Sequence, residues 1–180
     1  MVERILESYA IAYGLRFIGL RYFNAAGATK TLGEQHEPET HLIPLILQTA
    51  SSLRDPISVF GDNYPTKDGT AERDYIHVSD LSKAHILALD YLQNGGESDF
   101  INLGNGRGYS VKKIIAAAEK VTGKKIKTQI LPARAGDSTR LIANAEKAHK
   151  VLNWKPQISD IEDIIESAWI WFNKNSKNPV

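Results

Sequence analysis

The 180-residue sequence predicts an α/β protein. Apolar stripes at helical spacing recur along the chain, short apolar or alternating runs separate them, and the connecting segments are long and polar. One run stands out. In "RYFNAAGA", residues 21 to 28, Gly19, Leu20, Tyr22 and Phe23 form an apolar stretch, Asn24 ends it, and small residues follow. Strands buried on both faces of a parallel sheet read this way, and ligands collect beyond their carboxyl ends.

The elements follow in order. Val2, Ile5, Leu6, Tyr9, Ala10 and Tyr13 form a helical stripe that Gly14 is placed to end. No Ser, Thr, Asp or Asn precedes it; such a start fits a chain cut inside a helix, or an ordinary frayed end. The strand at 16 to 23 comes next, then a polar loop, residues 28 to 40. A second stripe, Leu42, Leu45, Ile46, Thr49, Ala50 and Leu53, tolerates Pro44 in its first turn. "ISVF" is a short strand, "GDNYPTKDGTAERD" a turn-rich loop, and "DYIHV" a strand running into a helix capped by Ser79. That helix presents Leu81, Ala84, His85, Ala88, Leu89 and Leu92. "DFINLGNG" is a strand ending in a turn, and Ser110 caps a helix with Val111, Ile114, Ile115, Ala118 and Val121 on its buried face, closed by Gly123. "KIKTQIL" alternates as a strand. Ser159 with Glu162 makes a capping box for a last stripe of Ile161, Ile164, Ile165, Ala168, Trp169 and Phe172.

Composition narrows the function. Hydrophobic residues make up 42% and charged residues 24%, ordinary for a domain with a core. A formal net charge of +1 does not point to nucleic acid or a membrane surface. No apolar run approaches the roughly 20 residues of a membrane span, and the acidic N-terminus lacks the apolar stretch of a signal peptide. With no cysteine, disulfides, zinc thiolates and a cysteine nucleophile are excluded, and a reducing, cytoplasmic setting is expected.

Two motifs read as structure. Tyr109 and Lys113 give the Tyr-x-x-x-Lys spacing, but helix phase puts Lys113 on a polar face, so the pair reads as solvated. "GNGRG", residues 104 to 108, lacks full dinucleotide-loop spacing and reads as a strand-to-helix turn. The histidines suggest no metal site: His85 reads as a core histidine, and His36, His41 and His149 show no ligand spacing. Arg73 in "AERDYIHV" and Arg134 in "PARAGD" are more informative. Arginine's planar fork suits phosphate, and a nearby acid such as Asp137 can hold ribose hydroxyls or pin the arginine.

Taken together, "RYFNAAGA", "ETHLIP", "SVFGDNYPTKDGTAERDYIHVSDLSKAH", "FINLGNGRGYSV" and "PARAGDSTRLIANAEKAHKVLNWKP" resemble the carboxyl-terminal half of the UDP-glucose 4-epimerase family, extended short-chain dehydrogenase/reductase enzymes. The segment from Phe60 to Asp80 is the most specific. The resemblance implies the carboxyl-terminal part of a Rossmann-type fold: one or two strands of its parallel sheet plus a small mixed α/β substrate domain. Residues 1–28 would be a remnant of the NAD-binding domain, and 29–180 mainly the UDP-hexose domain. It further implies an NAD-dependent isomerase of galactose metabolism, a full-length homodimer, and a present chain starting after the catalytic Tyr-Lys pair and inactive alone.

Residue by residue, the resemblance puts Tyr22 and Phe23 at the nicotinamide end of the NAD site, and Asn24 toward the sugar and diphosphate. His41 and Leu42 would lie near the diphosphate and nucleotide, with Tyr75 also on the substrate. Ser58, Val59 and Phe60 would hold the uracil, Arg73 and Arg134 would clamp the diphosphate, and Asp137 would bind the ribose. Leu141 would stand beside the hexose. His41 departs from an amide in other members, and Leu141 from a tyrosine in some. Two alternatives remain: a related nucleotide-sugar dehydratase or decarboxylase, and a non-catalytic UDP-sugar binding module.

Overall fold

The apolar stripes become helices in the computed structural model, which describes residues 1–176. α1 (Val2–Tyr13) closes at Gly14, whose left-handed φ of 67° lets its N–H return to the Ala10 carbonyl. β1 (Ile18–Tyr22) follows. The small residues expected to close that strand instead start a second one, β2 (Asn24–Ala26). The chain therefore changes partners at Phe23: β1 pairs parallel with β6 (Asp99–Leu103), and β2 pairs parallel with β5 (Tyr75–His77).

α2 (Leu42–Ala50) is shorter than its stripe, leaving Leu53 exposed beyond its end. β3 (Ile57–Phe60) pairs parallel with β8 (Thr128–Leu131). β4 (Glu72–Arg73) sits between antiparallel β7 (Tyr109–Ser110) and parallel β9 (Arg140–Leu141). α3 (Val78–Gln93), α4 (Val111–Thr122), α5 (Glu146–Leu152) and α6 (Ile161–Ser176) complete the described chain. The result is α/β, with the parallel pairing the sequence predicts.

Two cores form. One gathers α2, α4 and α6 around Ile46, Leu47, Ile114, Ile164 and Ile165, with Tyr75 of β5. The other sets α3 and α5 against β1 and β6, around Ile101, Leu103 and the fully buried Trp154. The Trp154 indole donates to the Asp80 carbonyl at 2.9 Å, while the buried Asp80 carboxylate accepts from the amides of Gln157 and Ile158. Backbone amides here take the place of the water that the buried carboxylate has lost.

Several expectations change. His77, not Ser79, caps α3: its Nδ1 accepts from the Ser79 amide at 3.1 Å. At α6 the Asp160 carboxylate takes the Glu162 amide, so the cap lies one residue beyond Ser159. Ser110 caps α4 as predicted, accepting from the Lys113 amide. His85 and Leu89 face outward, because the packed face of α3 runs through Leu81, Ala84, Leu87, Ala88 and Tyr91. Phe17 is buried, its ring 5.2 Å from that of Phe100, and Ile18 and Leu20 are half-buried on the second core. Only Tyr22 of that strand's large apolar side chains is exposed. α5 has no counterpart in the sequence reading.

Candidate functional site

A cleft of about 760 Å3 opens along the residues that follow β1, within the roughly 300–1,000 Å3 of ordinary ligand pockets. Its wall runs from Tyr22 through Thr29, and its far side is the start of α2. Six of the predicted residues line it: Tyr22, Phe23, Asn24, His41, Leu42 and Tyr75. The β2–β5 register places Asn24 opposite Tyr75, and the Asn24 amide donates to the Asp74 carbonyl at 2.7 Å. Asn24 is thus held by backbone and cannot swing freely. Tyr75 is almost fully buried, and burial pushes its hydroxyl up to about 12, so it offers no phenolate near neutral pH.

The other predicted residues, Ser58, Val59, Phe60, Arg73, Arg134, Asp137 and Leu141, form a separate crescent outside the lining of that cleft. Val59 points into the first core, which leaves only its backbone for a ligand. Ser58 accepts from the Gln129 amide across the β3–β8 pair. The Arg134 guanidinium lies over the Phe60 ring, 3.6 Å from its centre, an attractive cation–π geometry. The fork of Arg73 gives Nη1 to the carbonyls of Glu72 (2.9 Å) and Ser138 (2.7 Å), and Nη2 to Asp137 (3.3 Å). Arg73 therefore pins the turn that carries Arg134, and Leu141 lies opposite Arg73 in register.

Asp74 joins the two groups. Its side chain is buried, and its oxygens accept from the amides of Asn105 (3.0 Å), Gly106 (3.0 Å) and Ala143 (3.2 Å). Burial nevertheless raises its pKa, opposed by those three amides. The glycine-rich turn after β6 is thus a nest already filled by the protein's own carboxylate, which agrees with the structural reading of "GNGRG". A Cβ on Gly104 would meet the Asp74 carboxylate at 2.6 Å and the Ala143 methyl at 2.5 Å, so that position must be glycine. Tyr109 is not solvated: it is partly buried against the first core, and its hydroxyl donates to the Ser159 carbonyl, away from exposed Lys113.

The cleft floor hangs on His77, which the sequence reading left unassigned. Its Nε2 is 3.1 Å from Ser167 Oγ, which accepts from the Ala28 amide and donates to the Ile164 carbonyl. With Nδ1 accepting from Ser79, the ring is neutral with its proton on Nε2. Burial lowers its pKa below 6.5, against the pull of Asp80. The unfolded chain then binds more protons than the folded one, so stability is full above about pH 6.5 and falls below it. Urea midpoints from pH 7.5 to 5.5 should drop, with a slope of at most about 1.4 kcal/mol per pH unit from this group. His77→Ala should be less stable at pH 7.5 and show a shallower drop.

Two of the histidines meet acids in a grouping that spacing between histidines alone does not show. The end of loop 28 to 40 and the N-cap of α2 bring Glu34, His36, Glu39 and His41 together, with one potential ligand atom from each lying within 4.8 Å of the others. The signal in the sequence was a repeated Glu-x-His, not a spacing between histidines alone.

A family model described as "NAD dependent epimerase/dehydratase family" matches residues 1–104. The UDP-glucose 4-epimerase of Lacticaseibacillus casei is 52% identical over 172 residues, covering 94% of this chain and 52% of that protein. A crystal structure of the Brucella ovis UDP-glucose 4-epimerase with NAD aligns at TM-score 0.91 and 44% identity, over 94% of this chain and 53% of that one. The Bifidobacterium longum UDP-glucose 4-epimerase with NAD+ and UDP aligns at 0.87 and 38% identity, over 98% and 52%. The chain spans about half the length of the curated relatives it matches.

Proposed function

The chain belongs to the NAD dependent epimerase/dehydratase family, and from that membership we propose that it carries the nucleotide-sugar anchor of a UDP-glucose 4-epimerase. One observation carries the reading: two arginine forks and an aromatic face, Arg73, Arg134 and Phe60, converge on one turn beside Asp137. Such a crescent suits a nucleoside diphosphate, because arginine matches phosphate oxygens in pairs and a flat ring accepts a base. In this assignment Arg73 and Arg134 hold the diphosphate and Phe60 stacks on uracil. Ser58 and the Val59 backbone border the base, and Asp137 takes the ribose. Asn24 lies toward the sugar and diphosphate, His41 and Leu42 near the diphosphate and nucleotide, Tyr75 on the substrate and Leu141 beside the hexose.

NAD is the family's cofactor, and this reading assigns its nicotinamide end to Tyr22 and Phe23, which lie on the cleft wall. The glycine-rich turn cannot cradle its diphosphate, since Asp74 fills that nest. Residues 1–28 are accordingly assigned to a cofactor-binding unit, with β6 as the paired strand, and 29–180 mainly to the UDP-hexose unit. The whole enzyme is expected to be a cytoplasmic homodimer. A second reading, a UDP-sugar binding module, draws on Tyr109, whose hydroxyl is committed to the Ser159 carbonyl and unpaired with Lys113.

One assay separates the readings. Purified chain mixed with UDP-galactose and NAD is expected to bind the nucleotide without forming UDP-glucose. Measurable conversion would show that these 180 residues hold the catalytic groups after all.

Substrate range gives a further test. Leu141 is shorter than tyrosine and donates no hydrogen bond, which leaves room for a 2-acetamido group on the hexose. In an enzyme completed with an amino-terminal half, Leu141→Tyr should lower kcat/KM for UDP-N-acetylgalactosamine by about 10-fold or more relative to UDP-galactose, the scale of a filled pocket. An unchanged ratio would remove Leu141 as a gate.

A further inference from the structure

Residues 34 to 41, the end of the loop and the N-cap of α2, carry Glu-x-His twice, Glu34–His36 and Glu39–His41. The fold closes the two halves on each other. His36 Nδ1 lies 3.7 Å from Glu34 Oε1 and 3.5 Å from Glu39 Oε1. His41 Nδ1 lies 3.8 Å and 3.0 Å from the same two oxygens. Each imidazole thus faces both carboxylates through the same ring nitrogen, and the two rings sit 5.2 Å apart.

These lengths have a chemical meaning. Zinc binds imidazole nitrogen and carboxylate oxygen at about 2.0–2.2 Å in a tetrahedron, whose edges are then about 3.4 Å. Four of the six edges here measure 3.0 to 3.8 Å, and all six lie within 4.8 Å. One carboxylate is already oriented: the backbone amides of Thr40 and His41 each donate to Glu39 Oε1 at 2.7 Å. These bonds fix the carboxylate before a metal arrives, and a bound ion shares the Oε1 lone pairs with the two amides. Two carboxylates and two neutral imidazoles also balance a divalent charge.

We propose that Glu34, His36, Glu39 and His41 form a binding site for a Zn2+-class divalent metal. Two nitrogen donors favour zinc or cobalt over magnesium or calcium, which take oxygen. His41 is the N-cap of α2 and lines the cleft, as does Glu34. The bound ion joins the loop to the start of α2 at the cleft rim. The competing arrangement is a set of His–Glu hydrogen bonds with no metal. The site uses none of Arg73, Arg134 or Phe60 and shares only His41 with the nucleotide-sugar reading, so metal binding is tested without nucleotide present.

The test is a titration of the untagged, chelator-stripped 180-residue chain with Co2+ followed by visible absorption, and then with Zn2+. One equivalent of Co2+ should give the intense spectrum of a four-coordinate ion, and Zn2+ should bleach it. His36→Ala and Glu34→Gln lie in an exposed loop and should keep the fold, checked by circular dichroism, while weakening Co2+ binding by at least about tenfold. No binding, a pale six-coordinate spectrum, or full affinity in both variants would overturn the site and favour the metal-free hydrogen bonds.

Discussion

Asp74→Ala is expected to destabilise the protein by about 3–5 kcal/mol, enough to threaten folding of a typical domain. The carboxylate is buried, 1% exposed, and receives three backbone amides from two separate segments. Removing it leaves the buried Ala143 amide without a partner, at about 1–3 kcal/mol, and also frees the amides of half-buried Asn105 and exposed Gly106, which water meets more cheaply. Asp74→Asn keeps one acceptor but turns its own N–H2 toward an amide, so a smaller loss is expected, still above about 1 kcal/mol. Urea midpoints check the order. Amide exchange locates the damage: Asn105, Gly106 and Ala143 should lose protection first. The effect should reach the site, because the Asp74 amide donates to the Leu141 carbonyl and its carbonyl accepts from Asn24. Equal stability of Asp74→Ala and the parent would mean that water replaces the carboxylate at little cost.

Arg134→Ala should weaken UDP binding by about 1.5–3 kcal/mol, roughly 10- to 150-fold, the scale of a charge-assisted hydrogen bond to phosphate. Arg134 makes the cleaner test of the two arginines. Its described contact is the face of Phe60, so its removal uncovers a ring without releasing a turn. Arg73 has two roles, since it also holds the Glu72 and Ser138 carbonyls and Asp137. Arg73→Ala is therefore expected to lose UDP affinity and also loosen the turn at 134 to 138. Arg134→Lys keeps the charge but not the planar fork and should recover only part of the loss. Calorimetry with UDP, compared with uridine, separates the phosphate contribution: the uridine affinity of Arg134→Ala should change little.

The elements legible in the sequence are those whose burial is periodic. α4 and α6 bury isoleucines at regular helical intervals, and spacing alone reveals them. α5 was not legible because seven residues bury only Ala148 and Leu152, too short a stripe to stand out. β4, β7 and β9 are two residues each and exist through their partners, not through their own pattern. The caps at α3 and α6 were misplaced by sequence habit. Serine is a commoner cap than histidine and no better than aspartate, and the fold turned His77 and Asp160 toward the free amides.

For the site, resemblance supplied residue identities but not their grouping. Tyr22 to Asn24 and His41 share a cleft, whereas Phe60, Arg73 and Arg134 lie in a crescent that the β3–β8 and β4–β9 pairings assemble together. Asp74, between those groups, looked like one more acid in a polar loop. Nothing in its neighbours announced that three amides converge on it. The Glu34–His41 cluster was hidden for a related reason, since a grouping of histidine with glutamate is missed when histidines are compared only with one another.

The most direct test of the anchor assignment is a UDP titration of the isotope-labelled chain followed by amide and arginine side-chain resonances. The account predicts saturable shifts at Ser58 to Phe60, Arg73, Arg134 and Asp137, abolished or strongly weakened by Arg134→Ala. Shifts confined to other surfaces, or the same shifts at the same UDP concentrations in Arg134→Ala, would contradict it.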